Sequence, residues 1–127
     1  MSALLITDLV LFSESVAPQT LMPAAERIHS GHPVQTLWPH YSDPSQQFHA
    51  GLWQGELGSW VVRYTEHEYC HLLEGRIRLT DSEGNSLNFA AGEHFVIPAG
   101  FRGVWETLER CRKIYVIFEQ TDGRDGI

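Results

Sequence analysis

The chain has 127 residues, enough for one domain with a sizeable core and too few for two. Apolar residues make up 43% and charged residues 20%, which places it among soluble globular proteins and excludes a disordered one. A formal net charge of -7, a pI near 5.4 and the lack of any Lys/Arg run exclude the basic footprint that nucleic acid requires.

Leu4-Leu5-Ile6 and Leu9-Val10-Leu11-Phe12 open the chain with an apolar run that contains Asp8. It is too short to span a bilayer and has no basic residues before it. Neither a membrane segment nor a secretion signal is expected, and cytoplasmic residence is the default. An unpaired apolar edge of that kind is a liability. Residues 1–33 are therefore expected to form an N-terminal arm that adds a strand to a sheet, in its own subunit or a partner's, and the protein to be a homodimer. Within the arm, residues 23–29 look helical, with Pro23 at a helix start and Gly31 just past its end.

From residue 34 onward, short runs of Val, Ile, Leu and aromatics are separated by Gly, Pro, Asp and Asn. Strands are expected near residues 34–38, 48–54, 57–65, 69–73, 76–80, 86–89, 94–97, 104–107 and 112–119. Asp81-Ser82-Glu83-Gly84-Asn85 supplies residues that tolerate positive φ between two alternating runs, which signals a hairpin. Many short strands at close spacing predict an all-β sandwich or barrel over residues 34–120, with 121–127 as a C-terminal tail. Cys70 and Cys111 make no disulfide framework and read as free thiols.

Two segments carry a family resemblance. Glu68-x6-Gly75 is similar to the end of the first cupin segment, and Gly92-x5-Pro98-x-Gly100 to the start of the second. Gly51-Leu52-Trp53, Gly58-Ser59-Trp60, Tyr64-Thr65-Glu66-His67-Glu68 and the stretch from Pro98 to Glu106 resemble small single-domain cupins, the group of the ureidoglycine aminohydrolase and ethanolamine-utilisation cupins. The resemblance implies an RmlC-like jelly-roll barrel of two antiparallel sheets and commonly a homodimer.

The same resemblance shows what is missing. Its first-segment histidine positions fall on Val62 and Tyr64, or on Val61 and Arg63 with the longer spacing. The second-segment histidine falls on Gly103 and the asparagine on Thr107. Of the four consensus ligands only Glu68 remains, and a first-row metal generally needs three or four N, O or S donors. No metal or other cofactor is expected; the alternative is a divalent ion held by a non-standard site that includes Glu68, a histidine and Tyr64.

Alternation along a strand puts Tyr64, Glu66, Glu68, Cys70 and Leu72 on one side, and the family position of Glu68 points that side into the barrel. A bulge at Thr65-Glu66 is the alternative. Trp105 and Thr107 project inward from the opposing strand by the same counting. Glu68 is the candidate proton-transfer residue, with Glu66 or Tyr64 as partner; Cys70, Trp105 and Thr107 complete the expected pocket. The competing reading is a structural Glu68 bonded to backbone or to Arg63, Arg76 or Arg102. Cys70, beside two acids, should have a raised rather than a lowered pKa, which speaks against a nucleophile.

His29, His32, His40 and His49 read as surface or interface residues. His67 and His71 lie on the face opposite Glu68, and the register of His94 stays open. Three functions follow. One is a small-molecule enzyme of acid–base type (aminohydrolase, isomerase or lyase). The others are a metal-independent binding or sensor module and an accessory protein of a metabolic pathway.

Overall fold

The computed structural model describes residues 2–120. Nine strands form it: β1 (Gln19–Leu21), β2 (Ile28–Gly31), β3 (Gln35–Ser42), β4 (Phe48–Gly55), β5 (Gly58–Arg63), β6 (His67–Asp81), β7 (Ser86–Ala90), β8 (His94–Ile97) and β9 (Arg102–Phe118). All pairings are antiparallel. The order β1-β3-β4-β9-β5-β2 runs across one sheet, and β6 pairs with β7, β8 and β9. The expected all-β jelly roll is what the chain forms.

Two strands that the sequence splits are each continuous. Residues 69–73 and 76–80 belong to β6, and residues 104–107 and 112–119 largely to β9. The breaks between them are bulges, with register shifts between Leu72 and Ile77. Gly75 has φ +85°, and a Cβ there would run into the carbonyl of Arg110 and lie 2.7 Å from Cα of Cys111. Only glycine lets the two backbones meet so closely while β6 bends. The bend lets one half of β9 pair with β4 and the other with β5, each opposite its own half of β6, so the sheet curls around a core.

That core holds Trp53, Trp60 and Trp105, whose ring centroids lie 5.3 to 6.4 Å apart, with Leu72, Ile77, Leu79, Ile97, Cys70, Cys111 and Tyr115. Each buried tryptophan removes enough surface from water for about 4–6 kcal/mol of transfer free energy, an upper bound.

The N-terminal third departs from expectation. Residues 23–29 make no α-helix: Ala25–Arg27 is a single 3-10 turn, after which β2 pairs with β5, with Ile28 opposite Trp60. So short a segment gains more by lending its backbone to a sheet edge and burying one side of Ile28 than by nucleating a helix. Strand addition does occur, through β1 on β3 and β2 on β5. The apolar run at residues 4–12 takes no part in it. Ile6–Asp8 forms a 3-10 turn held by Leu5 N–H donating to Asp8 Oδ2 at 2.7 Å, and Leu4, Leu5, Ile6 and Leu9 are exposed. The expected C-terminal tail, 121–127, lies outside the described residues.

Candidate functional site

Between β5 and β6 the chain makes a three-residue connection, and its backbone is pinned to the turn after β8. Tyr64 N–H donates to the Phe101 carbonyl at 2.9 Å, and Gly100 N–H donates to the Tyr64 carbonyl at 2.7 Å. Across this break the side-chain alternation survives. Tyr64, Glu66 and Glu68 all line one cavity, while Cys70 and Leu72 continue the same face into the core.

The cavity has a volume of about 490 Å³ and opens to solvent. Trp53, Trp60, Trp105 and Leu37 wall it, and Tyr64, Tyr115, Glu68 and Lys113 meet at its floor. Lys113 Nζ lies 2.9 Å from Glu68 Oε2. Both residues are buried, at 4% and 5% exposure. Lys113 sits directly opposite Trp53 in the β4–β9 ladder, and its ammonium is 4.7 Å from the Trp53 ring and 4.4 Å from the Trp105 ring. Glu68 pairs with Ile117, so the lysine stem reaches two same-face steps along β9 to meet it.

These neighbours set the protonation states. Burial works against the charge of Lys113. The net shift of its pKa is nevertheless upward, because the groups that face it, Cys70, Glu68 and Tyr64, are all acids. It remains an ammonium ion, which rules out a role as a neutral-amine nucleophile. Burial, and then the charge of Glu68, push the Tyr64 phenol well above its ordinary value. The same two causes raise Tyr115. Both tyrosines are therefore protonated donors at neutral pH. Burial is also the main reason that Cys70 is pushed up to about 12 and Cys111 to about 11.

The floor, the tryptophan wall and the Glu68 segment all fall within residues 42–115, more than half of the chain, which match the EutQ-like cupin domain family, Cupin_3. The chain belongs to the EutQ-like cupins. No curated protein is significantly similar to it. Among solved structures it is similar to a protein of unknown function of the DUF861 family from Pseudomonas syringae, at 21% identity and TM-score 0.74, covering 85% of this chain and 46% of that one. The chain thus spans less than half of the length of that relative. A putative ethanolamine utilization protein EutQ from Salmonella typhimurium aligns at 15% identity and TM-score 0.63 over 85% of this chain and 100% of its own. A DUF861 family protein from Thermotoga maritima is 31% identical, with TM-score 0.52, over 53% of this chain and 76% of that one. The first two likenesses show the fold alone.

The residues of this cupin do not fit a metal at the family position. Val62, Tyr64, Gly103 and Thr107 offer no imidazole. A Cβ on Gly103 would collide with the Thr80 carbonyl, so no longer side chain fits there without a backbone shift. The remaining donor, Glu68, is already paired with the Lys113 ammonium at 2.9 Å, which supplies the positive charge that a cation would bring. Among the described residues, no three or more His, Cys, Asp or Glu side chains gather in a way that could hold a metal ion.

Several expectations for the cupin site are corrected by the packing. The partner of Glu68 is Lys113, not Arg63, Arg76 or Arg102; Arg76 is bonded to Glu109 at 3.2 Å. Cys70 and Thr107 are buried behind the cavity and do not line it. Cys70 Sγ accepts from Lys113 Nζ at 3.6 Å, and Thr107 Oγ1 accepts from Trp105 Nε1 at 3.1 Å. Glu66 lines the cavity, with Oε1 accepting from Thr65 N–H and Oγ1–H at 3.2 Å each.

The histidines mostly stay outside. Ala99 N–H donates to His67 Nδ1, while His71 lies opposite His94 on β6–β8 and Tyr69 Oη lies 3.0 Å from His94 Nδ1. His49 is the exception: it reaches the cavity rim, held 2.7 Å from Ser42 Oγ.

The functional residue that sequence reasoning missed is Lys113. It is the sole lysine of the chain, and strand alternation puts it on the same face as Cys111 and Tyr115, both buried. That alternation is the readable sign of its burial.

Proposed function

We propose that this cupin is a small-molecule enzyme that moves a proton with Glu68, without a metal, in the tryptophan-walled cavity. The observation that supports the reading is a buried carboxylate, oriented by the Lys113 ammonium, at the floor of a pocket that a small ligand can enter. Glu68 accepts a proton from a polarised C–H, N–H or O–H of the ligand. The electron pair left behind moves toward a ligand oxygen or nitrogen, to which the protonated Tyr64 hydroxyl donates. Return of the proton to a second atom makes an isomerase, and departure of a leaving group makes a lyase. Water entering by the open mouth can instead give a proton to Glu68 as its oxygen bonds to the amino-bearing carbon; the C–N bond then breaks and Glu68 returns the proton to the departing amine, which makes an aminohydrolase.

A binding module without turnover is the second reading, favoured by the ammonium that already neutralises Glu68. A metabolite-library thermal-shift screen on chelator-treated protein identifies ligands, because native-state binders raise the melting temperature. Turnover of a hit by wild type and its loss in Glu68→Gln, with the fold intact, are the expected results. Turnover retained by that variant would remove the enzymatic reading.

The homodimer belongs to the same proposal. Leu4, Leu5, Ile6 and Leu9 are 59 to 83% exposed in the monomer, a face that a second copy could cover. Removing residues 1–16, which leaves β1 and β2 in place, should convert dimer to monomer by light scattering. An unchanged mass would show that the arm does not carry the contact.

A further inference from the structure

We infer that the cavity selects an anion: a small molecule whose carboxylate or phosphate oxygens are held at the mouth by Arg63 and Arg27 while its body lies on the tryptophan wall. This rests on the reading of the cavity as a small-molecule site and adds the charge of what enters it.

The distribution of cations carries the inference. Arg76, Arg78 and Arg110 are paired with Glu109, Glu106 and Glu56 at 3.2, 3.1 and 2.9 Å. Arg112 stacks over Trp38, its guanidinium carbon 4.9 Å from the ring centroid, and Lys113 is paired with Glu68. Among the described residues, the arginines left without an acid or an aromatic partner are Arg27, Arg63 and Arg102. Arg27 and Arg63 both line the cavity. Arg102 lies directly opposite Arg63 in the β5–β9 ladder.

Like charges placed face to face weaken a ladder, and among the described residues no acid forms an ion pair with either arginine; an oxyanion at the mouth would compensate them. Inside, Glu68 and Lys113 cancel, and Tyr64 and Tyr115 are neutral, so the rim decides the charge of the site. Glu66 also lines the cavity, its Oε1 accepting from Thr65, and among the described residues no arginine lies within ion-pair distance of it.

A guanidinium fork matches carboxylate and phosphate oxygens, while the indole faces suit a flat or apolar body. The volume of about 490 Å³ lies within the usual range for small-molecule sites, roughly 300–1,000 Å³. On a chain of net charge -7, arginines without an acid partner beside one opening draw anions toward it.

The test uses benzoate, phenyl phosphate and the neutral isostere benzamide, read by tryptophan quenching and melting temperature at low salt. At least one anion should bind about tenfold or more tightly than benzamide. The Arg27→Gln/Arg63→Gln variant should lose about tenfold of the anion affinity while leaving benzamide unchanged, and about 0.5 M NaCl should weaken the anion alone. Preference for benzoate assigns a carboxylate and preference for phenyl phosphate a phosphate; either supports the inference. If the double variant melts differently without ligand, Arg27→Gln alone carries the comparison. Benzamide binding as tightly as the anions, or an arginine variant with unchanged affinity, overturns the anion inference and leaves the cavity reading standing. No response to any of the three overturns both.

Discussion

Replacing Lys113 by Met removes a charge from the cavity floor while keeping the length and apolar stem that pack against Trp53 and Trp105. The carboxylate of Glu68, 5% exposed, then loses the ammonium 2.9 Å away. Breaking a buried pair by removing one partner costs about 3–5 kcal/mol. The two lost cation–π contacts, at 4.7 and 4.4 Å, cost about 1 kcal/mol more. Against a total stability of about 5–15 kcal/mol, the variant is severely weakened.

The pH dependence has a definite sign. In the wild type the folded pKa of Lys113 is raised, so its contribution is complete below the ordinary lysine value and is lost only as pH climbs through the raised one. Near neutrality it is flat. In Lys113→Met the Glu68 carboxyl stays buried with no counter-charge, and burial disfavours the charged form that higher pH favours. The gap to wild type should be wide near pH 7 and narrower near about pH 5.

Urea denaturation of wild type, Lys113→Met, Glu68→Gln and the double variant at both pH values measures this. The double variant should be more stable than the sum of the single losses allows, by at least about 1 kcal/mol. Additivity within about 0.5 kcal/mol, together with no narrowing of the gap at the lower pH, would refute a buried ion pair at the floor.

Chemical labelling tests the same burial another way: an acylating reagent should leave Lys113 unmodified in the native protein and modify it after unfolding, as read by mass spectrometry of its peptide. Modification in the native state would contradict 4% exposure. Cys70 and Cys111, pushed up to about 12 and about 11 mainly by burial, should resist a thiol reagent at about pH 8 until urea is added. Gly75→Ala should cost several kcal/mol or prevent folding, because the new methyl meets backbone at positive φ. Gly84→Ala, at φ +89° but in open space, should cost only about 1 kcal/mol. Equal melting temperatures for the two would show that the β6–β9 crossing is looser than described.

Much of the barrel was legible one strand at a time. Alternation and turn residues locate β4, β5, β7 and β8 within a residue or two, because side-chain direction in a strand is a local property. The same counting turned Tyr64, Glu66 and Glu68 toward one cavity, even across the break after Arg63. Strand continuity was less legible. Gly75 reads as a strand end in sequence, and only the facing backbone of Arg110 and Cys111 shows it to be a bend within one strand.

The chain alone, then, determined an all-β sandwich or barrel, which follows from turn residues and a period of two, while its resemblance to the cupins implied the inward glutamate and the loss of the family's imidazole ligands. Tertiary structure decided that Lys113 is the partner of Glu68, that Cys70 and Thr107 do not line the cavity, and that Arg27 and Arg63 both do. Those facts depend on the register between strands far apart in the chain. Register is set by packing of the whole core, which no local pattern encodes.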